Sequence, residues 1–289
     1  MNYKYLRRRY LQKPKQRGPV SVVATNAIEW YENHGFGRPT FLFPLWETSG
    51  KTVIDIIDGT NGSFVNEPTW TNNQILFDGV DDYIDTGSPK IKTTDFSTFC
   101  RFTRFSPTDG NRYGLLGQHA GVGLYWMGLE NNAFVAQIGP ISAGGGNVPI
   151  GSVSSGAFTR KIDNCKIYHD SVQVGTFTSS LDILQLNLVL GGASGTAFLN
   201  NVLIDIAVGF EQALTVDQLD ILKEQPYAAL EYKSRPSYFV YHEDRTLFET
   251  VCSIETLTND VDASVVTLED TYKSKFEKEE TVYSFEKVL

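Results

Sequence analysis

No run of about 18 consecutive apolar residues occurs in the chain, so no segment is long enough to cross a bilayer as a helix. The basic start lacks the apolar core of a secretory leader. Cysteine is scarce: Cys100, Cys165 and Cys252 are the only three in 289 residues. They are far apart and odd in number, which excludes a disulfide framework and zinc-ligand spacing and leaves them as small apolar side chains. The four histidines, His34, His119, His169 and His242, are scattered, and none stands beside a serine or cysteine in a nucleophile motif. The glycine run Gly144-Gly-Gly-Asn147 lacks the lysine and following helix of a phosphate loop and reads as a flexible loop. Positive charge is short as well, and a net charge of −9 argues against nucleic acid as a partner of the whole molecule.

What is present favours strands. Eighteen Phe and 14 Tyr suit a pleated, half-buried surface. The length accommodates one all-β domain of about 200–250 residues. Charge is segregated. Residues 1–18 carry seven bases and no acid, whereas 231–289 carry thirteen acids against seven bases, the pattern of two tails flanking a domain. Within the first tail Arg7, Arg8, Arg9, Lys13, Lys15 and Arg17 are candidates for docking on an acidic partner surface; a solvated terminus is the competing reading. A flexible arm is preferred there to an amphipathic helix over 3–12, because like charges repel.

The middle of the chain is organised around Ile75-Leu-Phe-Asp-Gly-Val-Asp-Asp-Tyr-Ile-Asp-Thr-Gly87, a strand, a turn at Asp78-Gly79 and a strand restart at Tyr83-Ile84. It gathers four carboxylates near a sheet rim. Upstream, Val20, Val22 and Ala24 alternate, 41–46 is densely apolar, and turns are expected at Asp58-Gly59 and Asn61-Gly62. Downstream, 96–105 reads as a strand buried on both faces, and Asn131-Asn132 as a hairpin turn. A three-stranded meander follows over 158–177, with turns at Asp163-Asn164 and Asp170-Ser171. The one confident helix starts at Thr215, where Thr215 and Gln218 form a capping box, and stops at Pro226.

In this order, Leu45-Trp46-Glu-Thr-Ser-Gly50, Asp58-Gly-Thr-Asn-Gly62, Trp70, Leu76-Phe-Asp-Gly-Val-Asp-Asp-Tyr-Ile84, Leu190-Gly-Gly192 and Ala213-Leu-Thr-Val-Asp-Gln-Leu219 carry a resemblance. Over about residues 41–226 the chain resembles laminin-G-like domains of the concanavalin A-like lectin/glucanase superfamily. The resemblance implies a jelly-roll sandwich. The expected fold is therefore all-β, a two-sheet antiparallel jelly-roll sandwich with one short C-terminal helix and extended N- and C-terminal arms. The expected division is 1–40 basic arm, 41–230 sandwich and 231–289 acidic arm.

Some members of that family bind calcium at a sandwich rim, which makes Asp78, Asp81, Asp82 and Asp85 candidate ligands of a hard cation. The family's ligand set does not map here residue by residue, and a turn with a wet strand face explains the same acids; no other cofactor is implied. Tyr113, Tyr125 and Trp126 are candidates for stacking on sugar, with core packing as the alternative. Glycanases of the superfamily carry a Glu-x-Asp-x-(x)-Glu strand, so that two carboxylates flank the scissile bond. That pattern is absent, Glu29 and Glu32 lie on no such strand and Glu130 stands alone, so no enzymatic activity is expected.

The Gln225-Pro-Tyr227 ending is similar to modules of tailed-bacteriophage structural proteins. The resemblance implies a virion component made in the host cytoplasm, a capsid decoration or tail/fibre-associated protein. Its partners would be other capsid or tail subunits in a homo- or hetero-oligomeric assembly, with no membrane insertion. The alternative is a carbohydrate-binding adhesion module that contacts host surface glycans.

Overall fold

A computed structural model of the chain describes residues 20–47, 49–71, 74–91, 94–107, 112–118, 125–183, 185–192, 200–231, 240–241 and 247–248. The chain divides into two units, Met1–Lys233 and Ser234–Leu289.

The first unit is a sandwich of two eight-stranded antiparallel sheets. Sheet one contains β1 (Pro39–Phe43), β4 (Thr69–Thr71), β5 (Gln74–Asp78), β7 (Phe96–Arg104), β12 (Val153–Lys161), β13 (Asn164–His169), β14 (Val172–Thr178) and β16 (Asn200–Phe210). Its order is β14-β13-β12-β7-β16-β5-β4, with β1 also paired to β16. Sheet two contains β2 (Thr52–Ile54), β3 (Asn61–Val65), β6 (Tyr83–Asp85), β8 (Arg112–Gln118), β9 (Tyr125–Glu130), β10 (Ala133–Ile138), β11 (Ile141–Gly145) and β15 (Leu188–Leu190). Its order is β11-β10-β9-β8-β15-β6-β3-β2. The all-β sandwich expected from the sequence is what the chain forms.

Side-chain alternation explains where the cores lie. Along β7, Phe96, Cys100 and Phe102 enter the core between the sheets, together with Phe77, Ile84, Leu116, Met127, Phe134 and Phe158. Phe99, on the opposite face of the same strand, enters a second core with Ile206, Val208 and Phe210. Sheet one is thus buried on both faces, as the apolar run at 96–105 indicated. The sheets approach closely at Gly156, where a Cβ would stand 2.1 Å from the Phe134 ring. Cys100 and Cys165 are buried free thiols. Burial pushes the Cys165 thiol up to about 11, and raises that of Cys100 further.

The second core is closed by helices α1 (Val20–Asn33), α2 (Val216–Glu224) and α3 (Ala228–Glu231). Only α2 was legible in advance, and its Thr215–Gln218 capping box is present as expected. Residues 20–40, expected within the N-terminal arm, instead form α1 and the start of β1. The alternation at 20–24 misled, because three valines have modest helix propensity. The spacing of Val23, Ala27, Trp30 and Tyr31 places four buried side chains on one helical face, and tertiary burial decides. Two smaller corrections concern glycine: Asn61-Gly62 opens β3 instead of turning, and Gly144 and Gly145 lie in β11.

The second unit shows a two-stranded ribbon, β17 (Val240–Tyr241) with β18 (Leu247–Phe248). Residues 1–19, including the six candidate docking bases, and the remainder of the expected acidic arm lie outside the described residues.

Trp30 stacks on His34 and Phe36 and is 5% exposed. Trp30→Ala should therefore destabilise the sandwich by about 3–5 kcal/mol. Urea unfolding is the check: a lowered midpoint at unchanged slope is expected.

Candidate functional site: an acidic turn at the rim

Strand β5 belongs to sheet one and β6 to sheet two, so the segment between them crosses from one layer to the other. The crossing places its turn at the sandwich rim. Asp78 opens the turn by accepting the Val80 N–H on Oδ1 at 2.8 Å, and Gly79 takes φ +85°. Val80 is left 71% exposed at the tip. The chain then folds back, so that Asp82 Oδ2 accepts the Asp78 N–H at 3.1 Å. Asn66 pins the turn from β3's end by donating to the Asp81 carbonyl at 3.2 Å.

Asp78, Asp81 and Asp82 each present a carboxylate oxygen within 4.8 Å of the other two. Asp78 and Asp81 are exposed, but Asp82 is only 3% exposed and its Oδ1 has no hydrogen-bond partner. Burial raises the Asp82 pKa, and the charges of Asp78, Asp81 and Glu67 push it the same way, against the Asp78 amide. Asp85, the fourth acid expected here, is placed elsewhere. Its Oδ1 accepts from Gly87 N at 2.8 Å and from Asn187 Nδ2 at 3.1 Å, which ties β6 to the segment before β15.

The three candidate sugar-stacking rings require correction. Tyr113, Tyr125 and Trp126 are 6%, 0% and 3% exposed. Tyr113 and Tyr125 lie in the inter-sheet core, where the Tyr125 hydroxyl bonds the Thr98 hydroxyl. Trp126 faces outward from sheet two but lies beneath the Arg112 guanidinium, 5.7 Å from its ring, and donates to Gln137 Oε1 at 3.1 Å. None of the three offers a free face. Of the histidines, His34 is exposed, with Nδ1 2.7 Å from the Trp30 carbonyl. His169 is buried, and burial holds its pKa below the ordinary value. His119 and His242 lie outside the described residues.

The sequence reading missed a buried ionic knot. Lys90 Nζ lies 2.8 Å from Asp55 Oδ2, 2.7 Å from Asp58 Oδ2 and 2.9 Å from Thr60 Oγ1. Asp55 Oδ1 also accepts the amides of Leu42 and Ile57 at 3.0 Å each, so the knot ties β1 to the β2–β3 connection. Burial raises the Asp55 pKa against Lys90 and the two amides. At the more open Asp58 burial pushes upward too, but bonds from Lys90 and Thr60 outweigh it and the net shift is downward. A second trio stands on the helix side of sheet one. There Arg101 Nη1 is 3.1 Å from both Asp205 Oδ2 and the Tyr227 hydroxyl, which itself donates to Asp205. Both groups join elements together; their residue types gave no sign of pairing across 22 or more positions.

No protein-family model and no curated protein matches the chain. Solved structures do. A Trypanosoma rangeli sialidase in complex with 2,3-difluoro-KDN superposes with a TM-score of 0.56 at 14% identity, over 71% of this chain and 39% of the sialidase. The same organism's sialidase with sialic acid gives 0.53 at 14% identity, over 65% of this chain and 33% of that one. Domain 4 of AbnA, a GH43 extracellular arabinanase from Geobacillus stearothermophilus, is matched over 67% of this chain and 95% of that one at 16% identity, but its TM-score of 0.45 is too low to argue from.

The chain thus spans about two fifths or less of the sialidase chains, and at such identity the likeness shows the fold alone. It also corrects the expectation of a chain without enzymatic activity. Sialidases are among the solved structures with this fold, so a missing glycanase motif does not exclude activity.

Two outcomes follow from this geometry. Lys90→Ala leaves the buried Asp55 carboxylate without its cation and should cost about 3–5 kcal/mol in chemical denaturation. The second concerns pH. The folded-state pKa of Asp82 lies above its unfolded value, so the folded chain binds the extra proton. That contribution is present at low pH and is lost as pH rises from about 4 through the raised value. Asp82→Asn removes the loss, so the variant should gain stability relative to wild type as pH rises across this window, measured by melts at a series of pH values.

Proposed function

We propose that the chain is a displayed laminin-G-like module of a bacteriophage particle, a capsid decoration or tail/fibre-associated component held in place by its terminal segments. The observation that carries this reading is charge segregation around a compact sandwich. Seven bases without an acid precede it, and thirteen acids against seven bases follow from 231 onward. The division of the chain at Lys233 separates most of that acidic segment from the sandwich unit. Flanking segments of opposite charge suit docking on neighbouring subunits by charge pairing and strand addition. The ordered motifs from Leu45 to Leu219 support the laminin-G-like part of the reading.

Contact with host surface glycans is the second reading, favoured by the likeness to sialidases, one of them solved with sialic acid. It does not run through Tyr113, Tyr125 or Trp126, which are buried.

Incorporation into particles is the test. The full-length chain should co-purify with assembled particles and cross-link to a capsid or tail subunit through residues of 1–18 or 234–289. A chain ending at Lys233 should keep the sandwich but be lost from particles. Recovery of the full-length chain only free of particles would end the first reading, and a glycan array with no binding would end the second.

A further inference from the structure

We propose that the end of the sandwich where β7, β12 and β13 meet the β9–β10 turn binds a small monocarboxylate, held by Arg104, Ser154 and His169. This site is independent of both functional readings above.

Strand alternation puts the three side chains on one face. Phe102 and Ile167 point into the inter-sheet core, so Arg104 and His169, each two residues further on, point the same way. Ser154 stands opposite Phe102 in the β7–β12 register, and Gly156, two residues on, stands opposite His169. Ser154 is therefore a diagonal neighbour of both Arg104 and His169, at about 7–8 Å, within reach of long side chains. Sheet two closes the group from the other layer. Arg104 Nη1 donates to Asn132 Oδ1 at 2.6 Å. The Phe134 ring, two residues on, lies nearly parallel to those of Phe102 and His169, with centroids 6.3 and 6.4 Å away. The segment 146–151 crosses the same end, where Val148 N donates to the Asn132 carbonyl at 2.9 Å and Gly151 N to that of Arg104 at 2.8 Å.

The group is rich in donors and short of acceptors. Arg104, Ser154 and His169 are only 3%, 2% and 9% exposed, yet Arg104 Nε, Ser154 Oγ and His169 Nε2 have no hydrogen-bond partner. Asp170 Oδ2 is 3.5 Å from His169 Nε2, beyond ordinary hydrogen-bond length, and its Oδ1 is taken by the Ser155 amide and hydroxyl. All three unpartnered atoms can donate, and the guanidinium is charged. Among the described residues no carboxylate pairs with Arg104, and burial lowers its pKa with no acid opposing the shift. A water would satisfy the hydroxyl and the imidazole but leave that buried charge unanswered; an anion answers both.

The chemistry of the edge selects a carboxylate. Asn132 occupies Nη1, which leaves the Nε–Nη2 edge, and that edge meets a planar carboxylate with two parallel bonds. Ser154 and His169 supply further donors for its remaining lone pairs. Arg104 and Lys223 act on His169 as cations and Asp170 acts as an anion, so a single negative charge balances the group. A dianion such as phosphate would meet the Asp170 carboxylate with charge to spare. The depth of the three donors suits a small free acid or the carboxylate of an acidic sugar.

The isotope-labelled full-length chain is titrated with sodium acetate at an ionic strength held constant with sodium chloride, following the Arg104 Nε–Hε resonance. That resonance should shift saturably, with Kd between about 0.1 and 10 mM, short of the ceiling for a ligand of four non-hydrogen atoms. The melting temperature should rise with acetate above its value in chloride. Ser154→Ala removes an unpartnered hydroxyl, so it should melt like wild type but bind acetate about 2- to 10-fold more weakly. Phosphate should bind more weakly than acetate. Sodium glucuronate separates the two sources: binding tighter than acetate assigns the carboxylate to an acidic sugar, and weaker binding to a small free acid. Arg104→Leu should lose acetate binding and melt at or above wild type without it, because a buried unpaired charge is gone. If that variant does not fold, the acetate-dependent melting rise and its weakening in Ser154→Ala decide the matter. An Arg104 resonance that acetate moves no more than chloride does, up to about 100 mM, would overturn the site. So would acetate binding that Ser154→Ala leaves unchanged, or phosphate binding tighter than acetate. Any of these results leaves particle incorporation and the glycan array unaffected, and the converse holds.

Discussion

Strand β16 lies within sheet one and sends side chains into both cores of the sandwich unit. Along one edge its first half pairs with β5 and its second half with β1, while β7 runs along the other. Two apolar cores lie on its two sides, and a strict alternation of side chains cannot serve both with this sequence. The register slips between Ile204 and Ile206. Before the slip Val202 and Ile204 face the inter-sheet core; after it Ala207 does, while Ile206, Val208 and Phe210 turn to the helices. A single extra residue thus exchanges which half of the strand faces which core. The helices can dock because that exchange puts large side chains under α1 and α2 and only Ala207 opposite them.

How much of this was legible depends on whether a residue's neighbours in sequence are also its neighbours in space. Turns are local, and they read well. Asn131 and Asn132 adopt φ of 50° and 63°, and Asp170 and Ser171 adopt 49° and 66°, the backbone that two-residue hairpins require. The capping box at Thr215 is equally local. The hairpin between β12 and β13 turns one residue earlier than expected, because Ile162 accepts φ +57° despite its branched side chain. Packing across layers left no such trace. Whether Trp126 meets solvent or an arginine, and whether Lys90 is buried, depends on residues many positions away. The acidic rim was half legible: its turn is written in Asp78-Gly79, but the separation of Asp85 follows from β5 and β6 joining different sheets.

The likeness to sialidases and the absence of a family match describe the same fact from two sides. A two-layer β architecture is fixed by alternation, turns and a large aromatic core, requirements that many sequences meet. Chemistry is added on loops and rims, where little of that requirement applies. At 14% identity, the strands here and in the sialidases share a geometry.

The two thiols of the sandwich have a consequence for how the protein behaves outside a reducing compartment. Cys100 and Cys165 sit wholly inside the inter-sheet core, and burial suppresses their ionisation. Oxidants and alkylating reagents act on thiolates they can reach. Among the described residues, the folded chain therefore offers no cysteine sulfur to attack, and any covalent mark on these two positions records an episode in which the layers came apart.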